Sequence, residues 1–386
     1  MSVALVWFRR DLRLQDNPAL QAALDAGHDV VPVYIHAPHE EGEWAPGAAS
    51  NAWRHRSLAA LDADLRGRGS SLVLQIGDSL PVLQALIART GATAVYWNRK
   101  YEPATQPRDA SIKRTLREQG IDAQSCNGSL LFEPWDIATQ QGQPYKVFTP
   151  YWRNVLSRWR LPGLQAAPAA LAAHAVEGES LQALGLAPAL GWDEGFWEHW
   201  QPGEAGALEA LSVFEDGALR GYRAQRDLPD RVGTSRLSPH LHFGEIAPWR
   251  IAHALEGLRS AGTDADIDGY LRQLGWRDFA YHLLHHFPET PTGNLNPRFD
   301  RFPWATPSAG QLHDWQRGNT GVPIVDAGLR ELWHTGYMHN RVRMIVASYL
   351  CKHLRAHWLH GARWFWDTLV DADLANNTMG WQWVAG

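Results

Sequence analysis

Along roughly the first 130 residues, short apolar runs alternate with stretches of helical period. Ala4–Phe8, Val30–Ile35, Leu72–Ile76 and Ala94–Asn98 are apolar almost throughout instead of at every second position. That pattern marks strands buried on both faces. Between the first two runs, Asp16-Asn17-Pro18-Ala19-Leu20 supplies a cap residue, a proline for the first turn and the start of an alanine-rich apolar stripe, which predicts a helix. Strand, helix and strand in this order predict a doubly wound parallel α/β domain over residues 1–130.

Residues 131–204 change character. Pro, Gly and Ala dominate, as in Leu161-Pro162-Gly163 and Leu186-Ala187-Pro188, and with little periodicity they predict a connector laid over the surface. From 205 to 386 β-branched runs are scarce. Apolar residues recur at helical spacing in Ile251–Leu258, Tyr270–Leu284, Val325–Trp333 and Val342–Trp358, so this second domain is expected to be all-helical.

Composition narrows the class. The chain is 45% hydrophobic and 20% charged, which suits a packed core and excludes dominant disorder. No apolar run approaches the ~18 residues of a membrane span, and no export signal is visible. Cys126 and Cys351 are too few for a disulfide framework or a zinc module. These features fit a cytoplasmic, monomeric protein. The net charge of −5 argues against a protein that coats nucleic acid, but it hides an asymmetry: residues 220–386 hold 18 Lys+Arg against 16 Asp+Glu, and 17 of those cations are arginine. The second half is the better face for a polyanion. Twenty tryptophans against ten tyrosines is the loudest compositional signal, since indoles stack on flat rings and give up electrons readily.

Several chemistries are missing. After the first strand stands Val6-Trp7-Phe8-Arg9-Arg10-Asp11 in place of GxGxxG, and GxxxxGK[ST], HExxH and GxSxG do not occur, which removes a dinucleotide held in the Rossmann manner, P-loop phosphoryl transfer and two hydrolase classes. His282, His285 and His286 share a helix face, but among 18 histidines they read as a polar flank, and no metal is expected. Gly233-Thr234-Ser235-Arg236-Leu237-Ser238-Pro239 is a better candidate: hydroxyls, a guanidinium and backbone N–H groups at a helix start form either an anion cradle or an ordinary Ser/Thr cap.

The order WFRRDLRLxDNPAL, TSRLSP, GxPIVDAGLR, GYMHNRVRM, DADLANN and GWQW resembles the photolyase/cryptochrome flavoprotein family over the whole chain, most closely the bacterial class I enzymes that repair cyclobutane pyrimidine dimers. The resemblance implies an N-terminal α/β domain, a linker and a helical domain that binds FAD and UV-damaged DNA. It implies FAD contacts from Tyr222, Thr234, Ser235, Arg236, Leu237, Ser238, Gln273, Tyr337, Asn340, Arg343, Asp371, Ala372, Asp373 and Asn377, the last facing the flavin nitrogen that changes protonation on reduction. Trp276 and Trp383 would sandwich a flipped-out lesion, with Arg226, Gln273, Arg277, Asn340, Arg341 and Met344 also on the DNA side. Trp381, Trp358 and Trp304 would carry electrons from the surface. Met344 stands where (6-4) photolyases place histidine, and Asn377 where plant and animal cryptochromes carry Asp or Cys.

The chain departs from the pattern in places. Gln273 replaces a glutamate, Tyr337 a tryptophan, and Thr105 the glutamate of folate-binding members, which leaves methenyltetrahydrofolate, a deazaflavin or no antenna open. Family members continue with a further helical segment where this chain ends, at Gly386, which bears on FAD retention and DNA affinity. Light-driven dimer repair is the leading expectation. A cryptochrome-type light sensor is the alternative, and a flavin-poor DNA-binding relic a third.

Overall fold

The computed structural model describes residues 2–385. Strands β1 (Val3–Phe8), β2 (Asp29–His36), β3 (Val73–Ile76), β4 (Ala94–Asn98) and β5 (Asp122–Cys126) form one sheet in the order β3-β2-β1-β4-β5, every neighbouring pair parallel. Helices α1 (Pro18–Asp25), α2 (Ala48–Arg66), α3 (Ser79–Thr90) and α4 (Thr105–Glu118) are the crossovers. The chain winds outward from β1 in both directions, so both faces are covered, which is why four strands could be read from unbroken apolar runs. The fifth, Asp-Ala-Gln-Ser-Cys, has no such run because an edge strand can stay partly wet. Helix α1 starts as expected: Asn17 Oδ1 accepts the Leu20 N–H at 3.2 Å, and Pro18 takes the first helical position.

The connector holds one helix that its composition concealed, α5 (Phe148–Ser157). Phe148, Tyr151, Trp152 and Val155 are buried at the helical spacing i, i+3, i+4, i+7. The lack of period expected across residues 131–204 is therefore corrected here. Beyond α5 the chain runs over the α/β unit, with Leu171 N–H on the Arg68 carbonyl and Glu179 N–H on that of Leu74.

The remaining chain is helical: α6 (Glu204–Asp216), α7 (Tyr222–Gln225), α8 (Ser238–Phe243), α9 (Pro248–Glu256), α10 (Asp264–His286), α11 (Ala309–Gln316), α12 (Pro323–Thr335), α13 (Asn340–Ser348), α14 (Trp358–Thr368) and α15 (Leu374–Ala385). The single stripe expected over Val342–Trp358 is two helices. A π-turn at Tyr349–His353 ends α13, and Arg355 adopts φ +52 while Ala356 pairs with Ala305, so the backbone turns before α14 begins. None of the described helices is long and apolar enough to cross a membrane.

The halves meet tightly. Leu12 N–H donates to the Phe243 carbonyl at 3.1 Å, and the buried Arg13 guanidinium donates to the Gly244 carbonyl across the junction and to that of Gly128 on its own side, each at 2.8 Å. Gly244 sits at φ +65, and a Cβ there would lie 2.2 Å from the Arg10 carbonyl oxygen. Only glycine allows both that turn and that approach.

Candidate functional site

A cavity of about 560 Å3 opens in the helical half, walled by the segment leading into α8 and by α10, α13 and α15. Every residue singled out for cofactor or DNA binding lines it. Of the electron-path residues, Trp381 lines it while Trp358 and Trp304 lie outside its walls.

The Thr234–Ser238 segment does not cap α8. Leu237 occupies the cap position without a side-chain bond, Ser238 Oγ donates to Asp371 Oδ2 at 2.7 Å, and Ser235 Oγ meets the Tyr270 hydroxyl at 2.9 Å. What remains of the cap reading is a local turn, in which Ser235 Oγ also accepts the Leu237 N–H at 3.3 Å. Arg236 adopts φ +55, a conformation costly for a non-glycine residue. Its guanidinium lies 4.3 Å from the Trp200 ring centre and 5.2 Å from that of Tyr337. Arg343 lies 5.2 Å from the same Tyr337 ring. Tyr337 thus organises two arginines by cation–π contact, and Trp200, in the connector, is a contributor that sequence reasoning missed.

Arg343 Nη2 donates to Asp371 Oδ2 at 2.8 Å. Asp373 caps α15 by accepting from Asn376 N–H at 2.9 Å, and it also accepts from the Tyr281 hydroxyl. Burial would raise its pKa, but His242, with Arg10 and Arg277 behind it, holds Asp373 well below the usual carboxylate range. Asn377 Nδ2 donates to the Ala362 carbonyl at 3.1 Å, which directs its Oδ1 elsewhere. Gln273 Nε2 donates to the Gly269 carbonyl one turn back at 3.1 Å.

Trp276 and Trp383 stand at the mouth, but not as a sandwich. Their ring centres are 6.1 Å apart with planes at 82°, and one face of Trp276 is covered by Phe148, stacked 3.6 Å away. The two indoles form a corner. Met344 and Asn340 line the same cavity. Arg277 lines the cavity and also ties it to the other half of the protein, its guanidinium donating to the Ser129 carbonyl at 2.5 Å and covering the Tyr281 ring at 5.1 Å. Its position beside Asp278 matters, because burial pushes that carboxyl up to about 7 against the opposing charge of Arg277.

Trp381, Trp358 and Trp304 belong to one apolar cluster. Gly361 is where Trp381 packs, since a Cβ there would lie 2.0 Å from the indole. Trp358 is fully buried, its Nε1 donating to Asn294 Oδ1 at 3.1 Å. The His357 ring lies between it and Trp304, at 5.6 and 5.0 Å.

Two buried atoms on cavity-lining residues have no protein partner, Arg236 Nε and Asp371 Oδ1, while His242 Nδ1 faces Asp373 Oδ2 at 3.7 Å, beyond hydrogen-bond length. Each unpartnered atom costs about 1–3 kcal/mol if left unmet, so together they fit a large polar ligand. The α/β half is different. At the carboxyl ends of β1 and β4 the crevice lined by Arg10, Asn98, Lys100 and Tyr101 holds about 10 Å3, room for one water. Thr105 is buried and donates to Glu102. His282, of the histidine face, spends both ring nitrogens on the backbone of Tyr145 and Pro134.

Two family models match: DNA photolyase over residues 4–172, and the FAD binding domain of DNA photolyase over residues 270–386. The deoxyribodipyrimidine photo-lyase of Agrobacterium fabrum is 47% identical over 99% of this chain and 80% of its own. Cryptochrome-2 of Arabidopsis thaliana is 38% identical over 99% of this chain and 64% of its own. A crystal structure of a class III photolyase from Agrobacterium tumefaciens superposes with a TM-score of 0.95 at 47% identity, covering all of this chain and 80% of that one. The chain belongs to the photolyase/cryptochrome family, and its cofactor is FAD. The expected kinship with class I is corrected by that class III neighbour.

Proposed function

We propose that this protein is a DNA photolyase that splits cyclobutane pyrimidine dimers with blue light, on the class III pattern. The observation that carries the reading is the cavity: the polar set of Thr234–Ser238, Arg343, Asp371 and Asn377 lies within it, and Trp276, Trp383, Arg226 and Arg341 gather at its mouth. When bound and reduced, FAD supplies the photoexcited electron that opens the cyclobutane ring.

The chain's own residues bind, orient and exclude water. Ser235 and Arg236 would hold the cofactor phosphates, Arg343 and Asp371 would lie beside its ring, and Asn377 would offer a neutral amide able to pair with several protonation states of a ring nitrogen. Flipping a base costs a few kcal/mol, least for a lesion that already disrupts stacking, so a pocket reached only by flipping selects damage. Trp381, Trp358 and Trp304 provide oxidisable side chains from the cavity wall to the surface. In this reading residues 1–130 form the antenna-type domain, 131–204 the connector and 205–386 the FAD- and DNA-binding part, and the protein works on DNA in the bacterial cytoplasm.

A light sensor of the cryptochrome type is the second reading, favoured by the 38% identity to Cryptochrome-2. Met344 and Asn377 favour repair. One experiment separates them: illuminate the reduced holoprotein with an oligonucleotide bearing one thymine dimer and quantify intact dimer by chromatography. Loss of dimer supports repair, whereas all dimer retained by the reduced protein, together with photoreduction of the oxidised holoprotein in a parallel sample, supports the sensor.

A further inference from the structure

One carboxylate grips both arginines at the cavity mouth. Asp227 Oδ1 and Oδ2 accept from Arg341 Nε and Nη2 at 2.8 and 2.9 Å, and Oδ1 also accepts from Arg226 Nε at 3.2 Å. A two-point fork is the geometry with which a guanidinium binds phosphate. The same two segments are joined again where His339 Nε2 donates to the Arg226 carbonyl at 3.1 Å, so the exit of α7 is strapped to the start of α13 beside the opening. The pair is wet nonetheless: the Arg341 and Asp227 side chains are 40% and 45% exposed. An exposed pair contributes at most about a fivefold factor to an equilibrium constant, so a phosphate can exchange with it.

We propose, on the reading that this mouth receives DNA, that Asp227 is a built-in competitor for the DNA backbone. Binding is an exchange in which Arg341 leaves the carboxylate for a phosphate. The counterion that DNA gives up is matched by one that the freed Asp227 takes from solution, so Arg341 contributes little to the salt dependence of the natural protein. Backbone contact is thereby kept weak for damaged and undamaged duplex alike, and retention on DNA is left to what the cavity itself binds.

The test uses the FAD-loaded full chain in the dark, with a fluorescein-labelled duplex and the same duplex carrying one thymine dimer, over a salt series. Asp227→Asn keeps the shape and removes the charge. It should tighten both duplexes by two- to fivefold, leave their affinity ratio unchanged and steepen the slope of log K against log salt by about one. Asp230→Asn is the control for net charge, since Asp230 lies on the same loop beside Arg231, 3.5 Å away, and it should do less than half as much. Arg341→Ala should cost more affinity in the Asp227→Asn background than alone. An unchanged or weaker affinity of Asp227→Asn, confirmed with Asp227→Ala, overturns the proposal, as does an equal effect of Asp230→Asn. If Arg341→Ala changes nothing in either background, it is the DNA reading of the mouth that fails.

Discussion

The indoles of Trp276 and Trp383 meet nearly at right angles, 82° between planes and 6.1 Å between centres, where α10 and α15 both line the cavity. A flat base can lie on one indole and abut the edge of the other, but cannot slide between them as they stand. Trp383→Ala removes an exposed ring, 64% accessible, and should cost about 1–3 kcal/mol of affinity for dimer-containing DNA through lost stacking. Trp276→Ala should cost as much in binding and also lower the melting temperature, because Phe148 loses its stacking partner. Titrations of damaged and undamaged duplex with both variants check this; an unchanged ratio for both removes the corner from the lesion site.

FAD retention should depend on the Arg343–Asp371 pair. Asp371 is buried and Arg343 mostly so, and removing one member of such a pair strands the other, at about 3 kcal/mol or more. Asp371→Ala is therefore expected to purify with much less flavin than the parent. Release of the cofactor by heat and its quantification by absorbance give the occupancy; full occupancy in the variant would refute the assignment.

Photoreduction is expected to enter through Trp381. Trp381→Phe keeps an aromatic ring over Gly361 but removes the readily oxidised indole, so bleaching of oxidised flavin under blue light, with an external reductant present, should slow by at least tenfold. If the variant photoreduces like the parent, electrons arrive by another route.

Gln273 should limit dimer splitting without abolishing it. Its amide donates to the Gly269 carbonyl, and an amide holds no proton that it can pass on. Gln273→Glu is expected to raise the number of dimers split per absorbed photon while leaving the dissociation constant in place. The gain should stay below the ~2.7–4 kcal/mol that a full transition-state donor supplies. Quantum yields on fully reduced protein decide the matter, and no gain means that the lesion does not draw on a proton here.

Asp278 gives the fold a pH dependence. Burial raises its pKa to about 7 in the folded protein, against about 3.9 in the unfolded chain. Between those values the folded state holds the extra proton, so the contribution of Asp278 is fully present below pH ~4 and is lost as pH rises through 7, by up to about 4 kcal/mol. Asp278→Asn should flatten that decline. Melting temperatures of the two proteins from pH 5 to 8 should converge at the acid end and separate in favour of the variant above 7.

The sequence by itself determined the elements whose signals are local. The strands around Ala4–Phe8 and Ala94–Asn98, the cap at Asn17 and the helical period after residue 205 all follow from side chains within one turn or one strand of each other. The motifs around Thr234–Ser238, Arg343 and Asp371–Asn377 pointed to the cavity lining only through their resemblance to a family, since taken alone each also suits an ordinary helix start or an ion pair. Tertiary structure decided what depends on distant partners. Helix α5 is helical because its buried face meets α10, and β5 is a strand because β4 offers it an edge. Trp200 reaches Arg236 only once the connector is folded. The corner of Trp276 and Trp383, the tie of Arg277 to Ser129 and the grip of Asp227 on Arg341 are orientations set by packing across more than a hundred residues of chain, where no local pattern of apolar and polar positions can reach.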